Sequence, residues 1–132
     1  MTEDFLGLFR NDPGVVFLKP AQELFKKGEP GSHMYVVKSG EVQVVDGNHV
    51  FETVSSGGIV GEMSLISDEP RTTTVRAVTE AEVVPIDQKR FLFLVQQTPF
   101  FAIRVMRVMS TRLKAMKRSD PFAARIVVFI RG

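Results

Sequence analysis

The sequence predicts a mainly β chain with added helices: an antiparallel β jelly-roll barrel, a short N-terminal helix, one short helix between strands, and two C-terminal helices. Three observations point there. Eight or so short β-branched stretches, broken by turns rich in glycine, proline and aspartate, fill residues 14–86. Near Asp87 the apolar period changes from two to about 3.6. Gly57, Gly58 and Gly61 crowd ahead of Glu62 to Ile66, a run long enough for about one helical turn.

Composition bounds the rest. A chain of 132 residues with 44% apolar content is read as one soluble globular domain. The absence of cysteine excludes disulfides, zinc–thiolate sites and thiol catalysis, and fits the cytoplasmic setting expected here. No apolar run is long enough to span a bilayer, and the acidic start Met1-Thr2-Glu3-Asp4 lacks the order of a signal peptide. Charge is lopsided: residues 1–87 hold 7 basic and 14 acidic residues, whereas residues 88–132 hold 10 basic and 1 acidic. That basic end suits nucleic acid or anionic lipid, or else a solvated helix face or an acidic partner module.

The elements follow in chain order. Thr2 to Phe9 reads as a short helix capped by Thr2, stopped by Asn11-Asp12-Pro13-Gly14. Strands are expected over Val15–Leu18, Glu23–Phe25, Met34–Val37 and Glu41–Val45, with Gly28-Glu29-Pro30-Gly31 as a loop. Asp46-Gly47 is a hairpin turn leading into His49–Val54. Two more strands, Thr73–Ala77 and Ala81–Ile86, complete the β region. Asp87 caps a helix through Gln97 with Phe91, Leu92 and Val95 as its apolar face. Thr98-Pro99 interrupts it. A longer helix runs from Phe100 to Arg118 with a stripe of Phe101, Val105, Val108, Met109, Arg112, Leu113 and Met116. Leu113 and Met116 are free to pair with a second subunit or to lie over a ligand. The tail from Pro121 holds the apolar run Ile126 to Ile130, an added strand, a self-association element or a domain junction.

Residues 57–77 carry the chemistry. A glycine-led helix start leaves backbone N–H groups unpaired and makes a small anion site. Arg71 arrives from the far side of the loop Ser67-Asp68-Glu69-Pro70 with a planar fork of donors suited to a phosphate. Glu62 would repel a phosphate, so it is read as the acceptor for a hydroxyl on the same ligand, such as a ribose 2′-OH. It also suits the positive end of a helix. The ligand this describes is a compact ribose-phosphate with one negative charge.

Gly61-Glu62-Met63-Ser64-Leu65 followed by Pro70-Arg71-Thr72-Thr73-Thr74-Val75 resembles the phosphate-binding cassette of the cyclic nucleotide-binding domain family. Lys27 to Val42 looks like that family's glycine-punctuated hairpin, and the matching motifs together cover about residues 14–118. Val60 departs from the pattern, which usually has an aromatic residue there. The resemblance implies a jelly-roll domain over residues 1–118, with the barrel at about 14–86, helices at about 87–118, and a tail over 119–132. It implies a non-catalytic regulatory module that binds cAMP, or cGMP, through Gly61, Glu62, Met63, Ser64, Arg71, Thr72 and Thr73. Threonine directly after the arginine resembles members that accept cGMP, yet occurs in cAMP binders too. No cofactor and no metal are expected. The last helix is implied as lid and, in a homodimer, as the contact between subunits.

Other classes find less in the residues. His33 and His49 lack the His-x-His set of a metal-dependent jelly-roll enzyme. No nucleophile elbow and no Walker-type lysine loop is present. A transcription-regulator fragment would need a helix-turn-helix, and only 14 residues follow Arg118. Nucleic acid is therefore not an expected partner of this chain alone. A degenerate barrel used only for protein docking remains as a third reading, which the presence of both Glu62 and Arg71 speaks against.

Overall fold

The computed structural model describes Phe9 and residues 14–115, and the chain divides into two units, Met1–Arg90 and Phe91–Gly132. The expected helix over Thr2 to Phe9 lies outside the described residues apart from Phe9, and the tail 119–132 lies wholly outside them.

The first unit is a double-sheet jelly roll. Its strands are β1 (Val16–Leu18), β2 (Glu23–Phe25), β3 (His33–Ser39), β4 (Val42–Asp46), β5 (His49–Val54), β6 (Ile59–Val60), β7 (Thr74–Ala77) and β8 (Ala81–Asp87). They pair antiparallel throughout, in the orders β1-β8-β3-β6 and β2-β7-β4-β5. Two four-stranded sheets make up the expected jelly roll, without closing into one continuous barrel. Three of the four edge strands, β6, β1 and β2, have only two or three residues.

Core residues come from both sheets: Leu18, Val37, Val60 and Val83 from one, Phe25, Val42, Val54 and Val75 from the other. Each such side chain contributes about 1.5–3 kcal/mol on burial. In β4 the alternation slips, so that Val42 and Val45 are both buried. A register shift between Val44 and Val45 against β5 accounts for it. The hairpin turn is displaced by one residue from its expected place, because Asp46 still pairs with His49 and the loop is Gly47-Asn48, with Gly47 at φ 60°. β6 has no counterpart among the expected strands.

Helix α1 (Glu62–Ser67) is the short helix anticipated between strands. Helix α2 (Gln88–Gln97) starts where Asp87 Oδ1 accepts the Arg90 N–H at 2.8 Å, the expected cap. Its expected apolar face needs correction: Leu92 is 60% exposed and Leu94 is the buried residue. The run Phe91 to Val95 is apolar without a break, so spacing alone gives no unique face.

In the second unit, α3 (Pro99–Ala115) begins with proline at its first turn, where a missing N–H costs nothing. Phe101, Val105, Met109 and Arg112 of the expected stripe are buried; Met116 lies outside the described residues. Among the described residues no helix is long and apolar enough to cross a membrane.

Candidate functional site

The site forms where the β2–β3 loop, α1 and the start of β7 meet. Gly61 precedes α1 in the left-handed region, at φ 79°, which only glycine adopts without strain. Glu62 opens the helix and is 1% exposed; Met63 and Ser64 are buried behind it. Asp68 ends the helix at φ 56°, returning its N–H to the Ser64 carbonyl at 3.1 Å. The chain then reaches Arg71 through Glu69-Pro70.

Arg71 is 5% exposed. Its backbone is paired both ways with the loop, Arg71 N–H to the Glu29 carbonyl at 2.8 Å and Gly28 N–H to the Arg71 carbonyl at 2.8 Å. Its guanidinium donates from Nη1 to the Gly61 carbonyl at 3.2 Å and from Nη2 to the His33 carbonyl at 2.9 Å. The third nitrogen, Nε, is buried with no hydrogen-bond partner. The guanidinium carbon stands 3.9 Å from the centre of the Phe25 ring and 5.9 Å from that of Tyr35. Burial pulls the Arg71 pKa below the ordinary arginine range, while Tyr35 and the Glu62 and Glu29 carboxylates act in the opposite direction.

The expected residues are thus only partly gathered. Gly61 and Arg71 are in direct contact, and Glu62 lies close enough to stabilise the Arg71 charge. Ser64 faces a cleft of about 250 Å³ whose lining includes Ser32, Asp68, Asp87 and Lys89. Thr72 is half-buried and Thr73 buried, leading into β7. Among the described residues no group of His, Asp or Glu is arranged to hold a metal ion.

Four residues at the site had no role assigned from the sequence: Phe25, Gly31, His33 and Tyr35. Gly31 is the instructive one. Its φ is not positive, so no turn demands glycine there, yet a Cβ at Gly31 would collide with Arg71 Nε and lie 2.5 Å from Cζ. Glycine is needed for close approach. A second glycine after Gly28 in one short loop was the available signal.

Comparison with known proteins identifies the family and the fold. The family model for the cyclic nucleotide-binding domain matches residues 15–98, more than half the chain. An uncharacterized NTE family protein of Mycobacterium tuberculosis is 33% identical over 94 residues, 70% of this chain and 16% of that protein. The CRP-like cAMP-activated global transcriptional regulator of the same species is 28% identical over 96 residues, 69% of this chain and 43% of the regulator. The chain therefore spans about a sixth of the first relative and less than half of the second. The solved Thermus thermophilus Catabolite Activator Protein shares the fold, with a TM-score of 0.70 at 22% identity, covering 86% of this chain and 54% of the other. On the family match over residues 15–98, this chain belongs to the cyclic nucleotide-binding domain family.

Proposed function

We propose that this chain is a regulatory module that binds cAMP, with cGMP as the alternative, and catalyses nothing itself. The observation that carries the reading is Arg71: a cation almost wholly removed from water, with one N–H unpartnered, beside the buried carboxylate Glu62. An unpaired buried donor costs roughly 1–3 kcal/mol, so a fold that keeps one is keeping it for something. In this reading Arg71 and the backbone at Gly61, Met63 and Ser64 take the cyclic phosphate. Glu62 accepts the ribose 2′-OH, and Thr72 and Thr73 lie toward the base. The CRP-like relative is named for cAMP, which is why cAMP stands first.

Transmission is proposed to run into the C-terminal helices. Arg71 holds the His33 carbonyl, His33 pairs in register with Asp87, and Asp87 caps α2. Residues 1–118 are proposed to act as one domain. If the chain dimerises, Leu113 at the distal end of α3 is the proposed contact.

One observation favours a second reading. Both terminal nitrogens of Arg71 already have carbonyl acceptors, as a purely structural arginine would. Calorimetric titration of the full chain with cAMP and cGMP separates the two. The parent should bind, and Arg71→Ala should weaken binding by roughly 2–5 kcal/mol, about 30-fold to several-thousand-fold. No heat with either nucleotide would leave only the docking barrel, and equal affinity in Arg71→Ala would overturn the assignment of the site to Arg71.

A further inference from the structure

Helix α3 has two faces. Phe101, Val105 and Met109 on one are buried. At 100° per residue, Phe100, Ile103, Met106, Arg107 and Lys114 project on the other side. There Ile103 is 41% exposed and Met106 59%. Phe100, Ile103 and Met106, three large apolar side chains exposed on one side of a single helix, exceed the scattered single exposures of an ordinary surface. Between Gln88 and Ala115 the chain also carries six Lys or Arg and no Asp or Glu.

These two properties together select the occupant. A second copy seated on the same face would set Arg107 and Lys114 against their own equivalents, a like-charge arrangement. Nucleic acid would match the charge but offer its phosphate backbone nothing for Ile103 and Met106 to bury against. An anionic bilayer matches both. Apolar side chains enter the headgroup boundary while long basic side chains reach back to lipid phosphates. Arg107 already lies over the Phe100 ring at 5.6 Å, a ring and cation at neighbouring depths. No described helix is suited to spanning, so this contact lies along the surface.

We propose that the outward face of α3 docks on an anionic lipid surface. The test is co-sedimentation of the full chain with vesicles of phosphatidylcholine alone and of phosphatidylcholine with about a third phosphatidylserine. Binding is expected to the second and not the first, and to weaken as salt rises. Ile103→Asp with Met106→Asp should reduce it by about tenfold or more. Arg107→Glu with Lys114→Glu should do the same through charge. All four positions are exposed or at the rim, so unchanged thermal melting and unchanged nucleotide titration serve as controls on folding. Failure to sediment with either vesicle overturns the proposal, as does binding indifferent to both pairs of substitutions. A gel shift with RNA or DNA in the absence of lipid binding overturns it too, as does self-association abolished by Ile103→Asp.

Discussion

Replacing Gly31 with alanine adds one methyl group at the most crowded point of the site. The new Cβ would lie 2.5 Å from Arg71 Cζ and 2.9 Å from Cδ, and closer still to Nε, where ordinary contact begins near 3.4 Å. Relief requires the guanidinium to retreat by at least about 0.9 Å, the difference between 3.4 and 2.5 Å at Cζ, and by more at Nε. A flexible arginine would do this cheaply in water. This one is held by the His33 carbonyl at 2.9 Å, the Gly61 carbonyl at 3.2 Å and the Phe25 ring at 3.9 Å. A shift of that size stretches at least one of the two hydrogen bonds beyond useful length. A bond from a charged donor is worth roughly 1.5–3 kcal/mol, so nucleotide affinity should fall by about 10- to 150-fold if the ligand reads the position of the guanidinium. Calorimetry gives the affinity and thermal melting the stability. Gly28→Ala is the matched control, because Gly28 has φ 92° but no atom within 4 Å of an added Cβ. It should cost about 1–2 kcal/mol of stability from backbone strain and leave affinity near the parent's. If Gly31→Ala bound cAMP as the parent does, or if Gly28→Ala lost as much affinity, the argument that Gly31 positions Arg71 would fail.

Phe25→Leu keeps an apolar side chain under the guanidinium but removes its ring; the lost cation–π contact, about 0.5–2 kcal/mol, should appear as a two- to thirty-fold weaker titration with cAMP. Thr72→Ala should shift the ratio of cGMP to cAMP affinity downward if its hydroxyl reaches a guanine amino group, and leave that ratio unchanged otherwise, read from parallel titrations. Burial lowers the Arg71 pKa, so the folded chain holds that proton less tightly than the unfolded chain does. The resulting penalty is present at every pH below the folded value and is relieved only in strongly alkaline solution, so cAMP affinity should show no Arg71-dependent step between about pH 6 and 9.

What could be read in advance divides along a physical line. Local patterns were legible: the β-rich runs of β3 and β4, the glycine-led start of α1, and Asp87 as a cap each depend on residues close together in the chain. Glu62 and Arg71 were legible because their spacing along one short stretch, a helix start and the loop after it, is itself the signal. Phe25 was not, since its contact with Arg71 joins residues 46 apart in sequence, and nothing in a three-residue strand says what lies over its ring. β6 has two residues and so no period to detect. In α2, five consecutive apolar residues left the buried one to tertiary packing.

Arg71 in this structure has a structural use that a ligand must displace or share. A guanidinium has five N–H donors. Nη1 and Nη2 each give one to a neutral carbonyl, and Nε gives none. A phosphate oxygen is the stronger acceptor, because it brings a negative charge to a donor that is already cationic. A phosphate can take the remaining N–H groups or draw the guanidinium off one carbonyl, and in the second case the carbonyl given up decides what moves. Leaving Gly61 disturbs only the cassette. Leaving His33 frees the end of β3 opposite Asp87, and with it the cap of α2. The two cases differ in a double-mutant cycle on nucleotide affinity. Asp87→Ala removes the cap at a cost of about 1 kcal/mol to the helix, and Arg71→Lys keeps a charge that reaches only one carbonyl. Should the ligand release His33, the two changes will be coupled by at least about 0.5 kcal/mol in cAMP affinity. Strict additivity would mean that the exchange stays within the cassette and that the route through His33 and Asp87 carries no signal.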